Sequence, residues 1–188
     1  MNTVLVYDGQ DADAKGIIEV LKPLCGQSGS MDCIDVASLN LNDCTGCFGC
    51  WLKTPGLCMF GNDDGNTMLE TILRADYLVL LSRIVWGGYS LPLKACADRM
   101  LPMLHPYFKV FNKEMHHQLR YRRTPDYLVV GYGAGNREEE QTFLEYTRAH
   151  RDNMSSDREE GSWIVGTSEK KSTGFAALQA WFRKEIAA

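Results

Sequence analysis

Five short stretches read as apolar runs too continuous to be half-exposed: 3–7 (TVLVY), 34–36, 77–81 (YLVLL), 127–130 (YLVV) and 163–165 (WIV). A strand with one wet face alternates polar and apolar residues. Runs of this kind instead predict strands covered on both faces, as in a parallel sheet. Between them lie helical periodicities. Ile17, Leu21, Leu24 and Cys25 form one stripe; Leu93, Cys96, Ala97, Met100, Leu101 and Leu104 a second; Phe143, Tyr146, His150 and Met154 a third; Phe175, Leu178, Phe182 and Ile186 a fourth. Parallel neighbours need crossover connections, and helices alternating with strands supply them, so the pattern predicts a doubly wound α/β sheet.

The 188 residues, 45% hydrophobic and 23% charged, suit one domain over residues 1–188 with a sizeable core, and no repeat or linker interrupts them. Apolar runs this short are far from the roughly 20 residues of a spanning helix. The start MNTVLVYDGQ lacks the basic stretch of a secretory signal, so a cytoplasmic protein is expected. A net charge of -4 gives no general attraction to polyphosphate and argues against nucleic acid. Small molecules or proteins are the expected partners.

Helix starts are marked at Thr67 and Glu70, which have capping-box spacing, and at Ser90 followed by Pro92. In a doubly wound sheet, ligands bind outside the carboxyl ends of the strands. That rule selects four loops: 8–13, the cysteine-rich segment after the second strand, 82–90 (SRIVWGGYS), and 131–136 (GYGAGN).

Four of the seven cysteines fall in 43–58, DCTGCFGCWLKTPGLC. In a reducing compartment an odd number of cysteines points away from a disulfide framework. Cys44, Cys47 and Cys50 at two-residue gaps, with Gly46 and Gly49 for tight turns and Cys58 as a fourth donor, have the C-x2-C-x2-C run of bacterial [4Fe-4S] sites. Zinc favours two separated C-x2-C pairs, although four thiolates bind either metal. A third reading needs no metal, because such pairs also cycle between dithiol and disulfide. Phe48 and Trp51 are candidates for an aromatic wall of a ligand pocket, and Cys25, Cys33 and Cys96 read as core residues.

The stretch SRIVWGGYS followed by LPLKACADR resembles the S-P-x-Y-W-G-x-x-P-x-x-L-K-x-x-x-D-R segment of the NADPH-dependent FMN reductase and iron-sulfur flavoprotein families. With CTGCFGC and the acidic pair Asp63 and Asp64, the resemblance covers roughly residues 1–105. It implies a flavodoxin-like fold, a five-stranded parallel sheet in the order 2-1-3-4-5 with helices on both faces. It also implies bound FMN, NAD(P)H as a possible reductant, a homo-oligomer, and a flavin lying against Ser82, Arg83, Val85, Trp86, Gly87, Gly88 and Tyr89. Trp86 and Tyr89 offer flat faces to the ring, and glycines permit close backbone approach; Gly131, Gly133 and Gly135 are assigned to the same ring. No catalytic acid or base is singled out.

The first loop departs from that family. Its members carry a Ser/Thr/Arg-rich turn that holds the phosphate at a helix N-terminus, whereas this chain has YDGQDADAK. One carboxylate about 4 Å from a phosphate charge costs about 4 kcal/mol even at an effective dielectric near 20. Asp11 and Asp13 read as helix caps, with Lys15 or Arg83 as partial offsets. The rival reading is therefore a flavin-free metal-binding or thiol redox-sensing domain on the same fold. Finally, EMHHQLRYRR gathers His116, His117, Arg120, Arg122 and Arg123, either as a solvated surface insert or as an attractor for an anionic group such as a nicotinamide cofactor phosphate.

Overall fold

The computed structural model describes residues 2–26, 29–154, 161–165 and 171–186. Its main sheet is built from β1 (Asn2–Tyr7), β2 (Ser30–Asp35), β3 (Tyr77–Val85), β7 (Asp126–Tyr132) and β8 (Ser162–Val165), all parallel and in the order β2-β1-β3-β7-β8. The five expected strands and their flavodoxin-like order are present. A two-residue strand β4 (Gly88–Tyr89) folds back antiparallel on the end of β3, and β5 (Leu104–Phe111) pairs with β6 (Glu114–Leu119) as a separate hairpin.

Alternate residues of each central strand feed two cores. Val4, Val6, Leu78, Leu80 and Val129 pack under α3 (Gly65–Leu73), α4 (Leu91–Asp98) and α5 (Arg137–Asn153). On the opposite face, Leu5, Val79, Leu81, Leu128 and Val130 meet α1 (Ala12–Gly26) and α6 (Lys171–Ile186). Each fully buried aliphatic side chain contributes about 1.5–3 kcal/mol, and continuous strands supply one to both cores at every step. A short helix α2 (Gly49–Leu52) interrupts the otherwise irregular cysteine segment. Among the described residues, no helix is long and apolar enough to cross a membrane.

Several local expectations need correction. The second strand is Ser30–Asp35 rather than 34–36; it is an edge strand, largely exposed, and so carries no apolar run. Cys33 lies on it and is exposed, not a core residue, whereas Cys96 is fully buried; the side chains of Cys25 and Ile186 lie outside the described residues. The second helical stripe ends early. Helix α4 stops at Asp98, Leu101–Met103 form a 3-10 turn, and Leu104 opens β5. Helix α3 begins at Gly65 after the cap Asp64, which puts Thr67 inside the helix and removes the expected capping box. Ser90 does stand at the N-cap position of α4, with Pro92 in the first turn, although its side chain makes no capping hydrogen bond.

Candidate functional site

The carboxyl ends of β1 and β3 converge on an ion-pair cluster. Asp11 precedes α1 and accepts the Asp13 N–H at 2.9 Å, the capping role its side chain suits. Arg83, near the end of β3, donates to both Asp11 oxygens at 2.5 and 2.9 Å and to Asp13 at 2.6 Å. It stands opposite Tyr132 in the β3–β7 register, its guanidinium carbon 5.2 Å from the Tyr132 ring centre. A Cβ at Gly133 would meet the same guanidinium, so this position, at φ 74°, admits glycine for Arg83. The Arg83 hydrogen bonds hold the Asp11 carboxyl below the usual carboxylate range. Two further loop amides are also occupied: Gly9 N–H donates to Asp35 at 2.8 Å and Gln10 N–H to Asp8 at 3.0 Å. These residues do not fit a flavin phosphate.

Beyond Arg83 the chain reverses at Trp86 and Gly87, both at positive φ (54° and 76°), in a two-residue turn between the paired Val85 and Gly88. A left-handed bulky residue costs on the order of 1–3 kcal/mol, and here no packing offsets it, because Trp86 is 90% exposed. Trp86 and Val85 thus present an open apolar face at the sheet's carboxyl edge. Tyr89 does not: its ring is buried against Phe143 and Tyr146, and its hydroxyl lies 3.1 Å from His150 Nδ1. Ser82 is fully buried and ties α4 to β3, accepting Ser90 N–H at 3.0 Å and donating to the Arg83 carbonyl at 2.8 Å.

The glycines assigned to the ring serve the protein's own packing. A Cβ at Gly131 would come within 2.4 Å of Phe143, and Gly135 N–H donates to Glu139 at 2.8 Å. Asn136 caps α5, its side chain accepting Glu139 N–H at 2.9 Å. A Cβ at Gly88 would make only an ordinary contact, 3.6 Å from the Val85 carbonyl oxygen. Of the ten residues assigned to the ring, Val85 and Trp86 are those whose large apolar side chains are exposed.

The cysteine segment forms a cavity of about 320 Å³, lined by Cys44, Cys47, Cys50 and Cys58 with Phe48, Phe60 and Arg99. Both flanks of the segment are pinned. Asn42 donates to Asp63 through its backbone at 3.0 Å and its side chain at 3.1 Å, Asn40 N–H donates to Asp64 at 2.8 Å, and Cys58 N–H donates to Asn66 at 2.8 Å. Asp63 in turn binds Arg99 through two contacts of 2.5 and 2.8 Å, with both side chains almost wholly buried. A Cβ at Gly65 would collide with the Arg99 guanidinium. Arg99 Nη1 also donates to the Asn42 carbonyl at 2.7 Å, while its Nε is buried without a partner.

Sequence reasoning missed Arg99 as a floor of this cavity, although the D-R of the matched stretch and the Asp63–Asp64 pair were the signals that pointed to it. The Asp63 hydrogen bonds, above all, hold the Arg99 guanidinium in the charged form. Burial, followed by the neighbouring Cys44, pushes the Cys50 thiol up; Gly49 N–H, donating at 3.4 Å, pulls the exposed Cys47 thiol down. The donor set suits a thiolate-ligated, anionic group in kind and number. Even so, among the described residues no three His, Cys, Asp or Glu side chains come together as a metal site.

The basic segment is neither a loose insert nor a free cation cluster. His116 is buried on β6 with Nδ1 2.9 Å from Asn153 Oδ1, Arg120 donates to the carbonyls of Pro102 and Leu104, and Arg123 pairs with Asp76. His117 joins Phe108, Trp51 and Phe48 in a ladder of rings with centres 4.6, 4.8 and 4.9 Å apart. Phe48 therefore faces the cysteine cavity, while Trp51 carries the ladder to the hairpin.

No family model matches the chain. Over 85 residues, 45% of its length, the chain is 33% identical to an iron-sulfur flavoprotein of Methanocaldococcus jannaschii, and it spans 42% of that relative. Among solved structures it is similar to an FMN-dependent NADH-azoreductase of Bacillus anthracis in complex with FMN, with a TM-score of 0.64 at 14% identity over 99% of this chain and 100% of that one. It is equally similar to an NAD(P)H:quinone oxidoreductase of Methanothermobacter marburgensis, with a TM-score of 0.64 at 14% identity over 99% and 97% of the two chains. The chain has the flavodoxin-like fold of these reductases, and over 85 of its residues its sequence resembles that of an iron-sulfur flavoprotein.

Proposed function

We propose that this protein is a flavin-dependent electron-transfer oxidoreductase, reduced by NAD(P)H and carrying a [4Fe-4S] cluster on Cys44, Cys47, Cys50 and Cys58. The observation that carries the reading is the cavity itself: four cysteines from one segment line a single space whose floor is the buried Arg99–Asp63 pair. When bound, a flavin accepts two electrons and a cluster passes them on singly. The chain's share is to position both. Trp86 and Val85 supply an apolar face for an isoalloxazine, Gly88 leaves room for close approach, and Arg99 sets a positive charge beside thiolates. The acceptor is a small molecule or protein. The exposed Tyr107, Phe108, Val110 and Met115 of the hairpin suit a homo-oligomer contact.

Anaerobic purification followed by visible spectra and iron, sulfide, zinc and flavin analysis tests this. Flavin with iron and sulfide near four each per chain is the expected result, and Cys47→Ser removes the cluster absorbance while flavin stays. Colourless, metal-free protein defeats the proposal. A second reading, a thiol redox switch, is favoured by the exposed Cys47, whose thiolate is stabilised by Gly49 N–H. It predicts rapid alkylation of Cys47 in metal-free protein and protection after mild oxidation.

A further inference from the structure

A doubly wound protein of this topology holds a flavin phosphate where the chain leaves β1 for α1, on the free amides of the turn and the helix N-terminus. In this chain three of those amides are already engaged by carboxylates. Gly9 N–H is taken by Asp35, Gln10 N–H by Asp8 and Asp13 N–H by Asp11. The cation best placed to receive a phosphate, Arg83, is spent on Asp11 and Asp13 through three contacts between 2.5 and 2.9 Å. Its position is fixed from below by Tyr132 and from the side by Gly133, so it is held in the pair by its surroundings. Two carboxylates, Asp11 and Asp13, close on this single guanidinium, while Asp35 and Asp8 hold the amides of the same loop. An incoming dianion would have to displace carboxylates from Arg83 and then remain among them.

We propose that this protein selects its flavin by the ring and not by the phosphate: the Arg83–Asp11–Asp13 cluster takes the phosphate's place, and the uncharged flavin, riboflavin, binds at least as tightly as FMN. This rests on the flavin reading above and adds the ligand's chemical class. Its electrostatic signature is distinctive. A phosphate gripped by cations loses affinity as salt rises, whereas one held among carboxylates gains affinity when salt screens them.

The test titrates the apo-protein with riboflavin and with FMN, read by fluorescence quenching at low and high salt. The expected result is an FMN-to-riboflavin Kd ratio of one or more that falls as salt is added. Asp11→Asn with Asp13→Asn releases Arg83 and lowers that ratio at least tenfold. The single Asp13→Asn change, at a side chain 44% exposed, keeps the test open if the double variant does not fold, and lowers the ratio about threefold. FMN binding tenfold or more tighter than riboflavin in the unaltered protein overturns the proposal and leaves the flavin reading standing. Saturable binding of neither flavin overturns both.

Discussion

Replacing Asp63 by Asn removes the counter-charge of a buried guanidinium while keeping the side chain's shape. The Asp63 side chain is fully enclosed and accepts from Arg99 Nη1 and Nη2, from Asn42 through both backbone and side chain, and from Gly65 N–H. These contacts draw the end of α4, the cysteine segment and the start of α3 onto one carboxylate. Asn at 63 loses the charge and turns an acceptor toward donors, leaving Arg99, 3% exposed, unpaired. Breaking one side of a buried pair costs about 3–5 kcal/mol. For a chain of this size each kcal/mol moves Tm by about 2–4 °C, so Asp63→Asn lowers Tm by roughly 10 °C.

The control is Glu70→Gln. Its pair with Arg74 is just as short, 2.5 Å, but both side chains are more than half exposed, and its loss changes stability by no more than about 0.5 kcal/mol. Differential scanning fluorimetry or urea melts of the two variants give the comparison. Equal, small shifts would refute the premise that burial rather than distance sets the weight of the pair. The double change Asp63→Leu with Arg99→Met recovers much of the loss, since an apolar pair leaves no charge stranded. The dependence on pH has a fixed sign. Arg99 holds the Asp63 carboxyl well below the usual range, so its contribution is complete above the ordinary value near 4 and is lost as pH falls below it. Wild-type stability therefore drops in acid more steeply than that of Asp63→Asn.

Gly131→Ala overpacks Phe143 and costs about 1–3 kcal/mol, measurable by urea denaturation. Burial, reinforced by Lys94, lowers the His150 pKa to about 4, so stability is complete above the ordinary histidine value near 6.5 and declines as pH falls toward 4; melts of His150→Gln across that window are flatter. Trp86→Gly relieves the left-handed turn and raises Tm slightly, while loss of the aromatic face weakens flavin about threefold to tenfold by fluorescence titration.

The parallel sheet was legible because its inner strands are apolar on both faces, and a run such as YLVLL has few other uses. Strand β2 was displaced in that reading because an exposed edge strand needs no such run. The β5–β6 hairpin was hidden by Leu101 and Leu104, which prolong a helical stripe by coincidence of spacing. Pro102 and the positive-φ pair Asn112–Lys113 were the signals that break it. At the site, the acidic first loop was readable as an obstacle to phosphate, but the bidentate grip of Arg83 was not. It joins residues 72 apart, and the Asp63–Arg99 pair joins residues 36 apart, distances over which spacing carries no geometry. Gly131 looked like room for a ring because a sequence gives a glycine's lack of Cβ and not the neighbour, Phe143, that needs it.

The ring ladder from Phe48 through Trp51 and His117 to Phe108 has a consequence for how the molecule opens. Segment 43–58 has one four-residue helix of its own, and between its pinned flanks it rests on the hairpin through the rings and on the preceding 3-10 turn through Trp51 Nε1 to the Leu101 carbonyl. Elements that share their contacts unfold together, as one cooperative unit. Amides of the cysteine segment and of β5–β6 then exchange with deuterium at a common free energy, below that of the central strands. Peeling the hairpin away then uncovers Cys50, the buried thiol of a set in which Cys44 and Cys47 already face solvent.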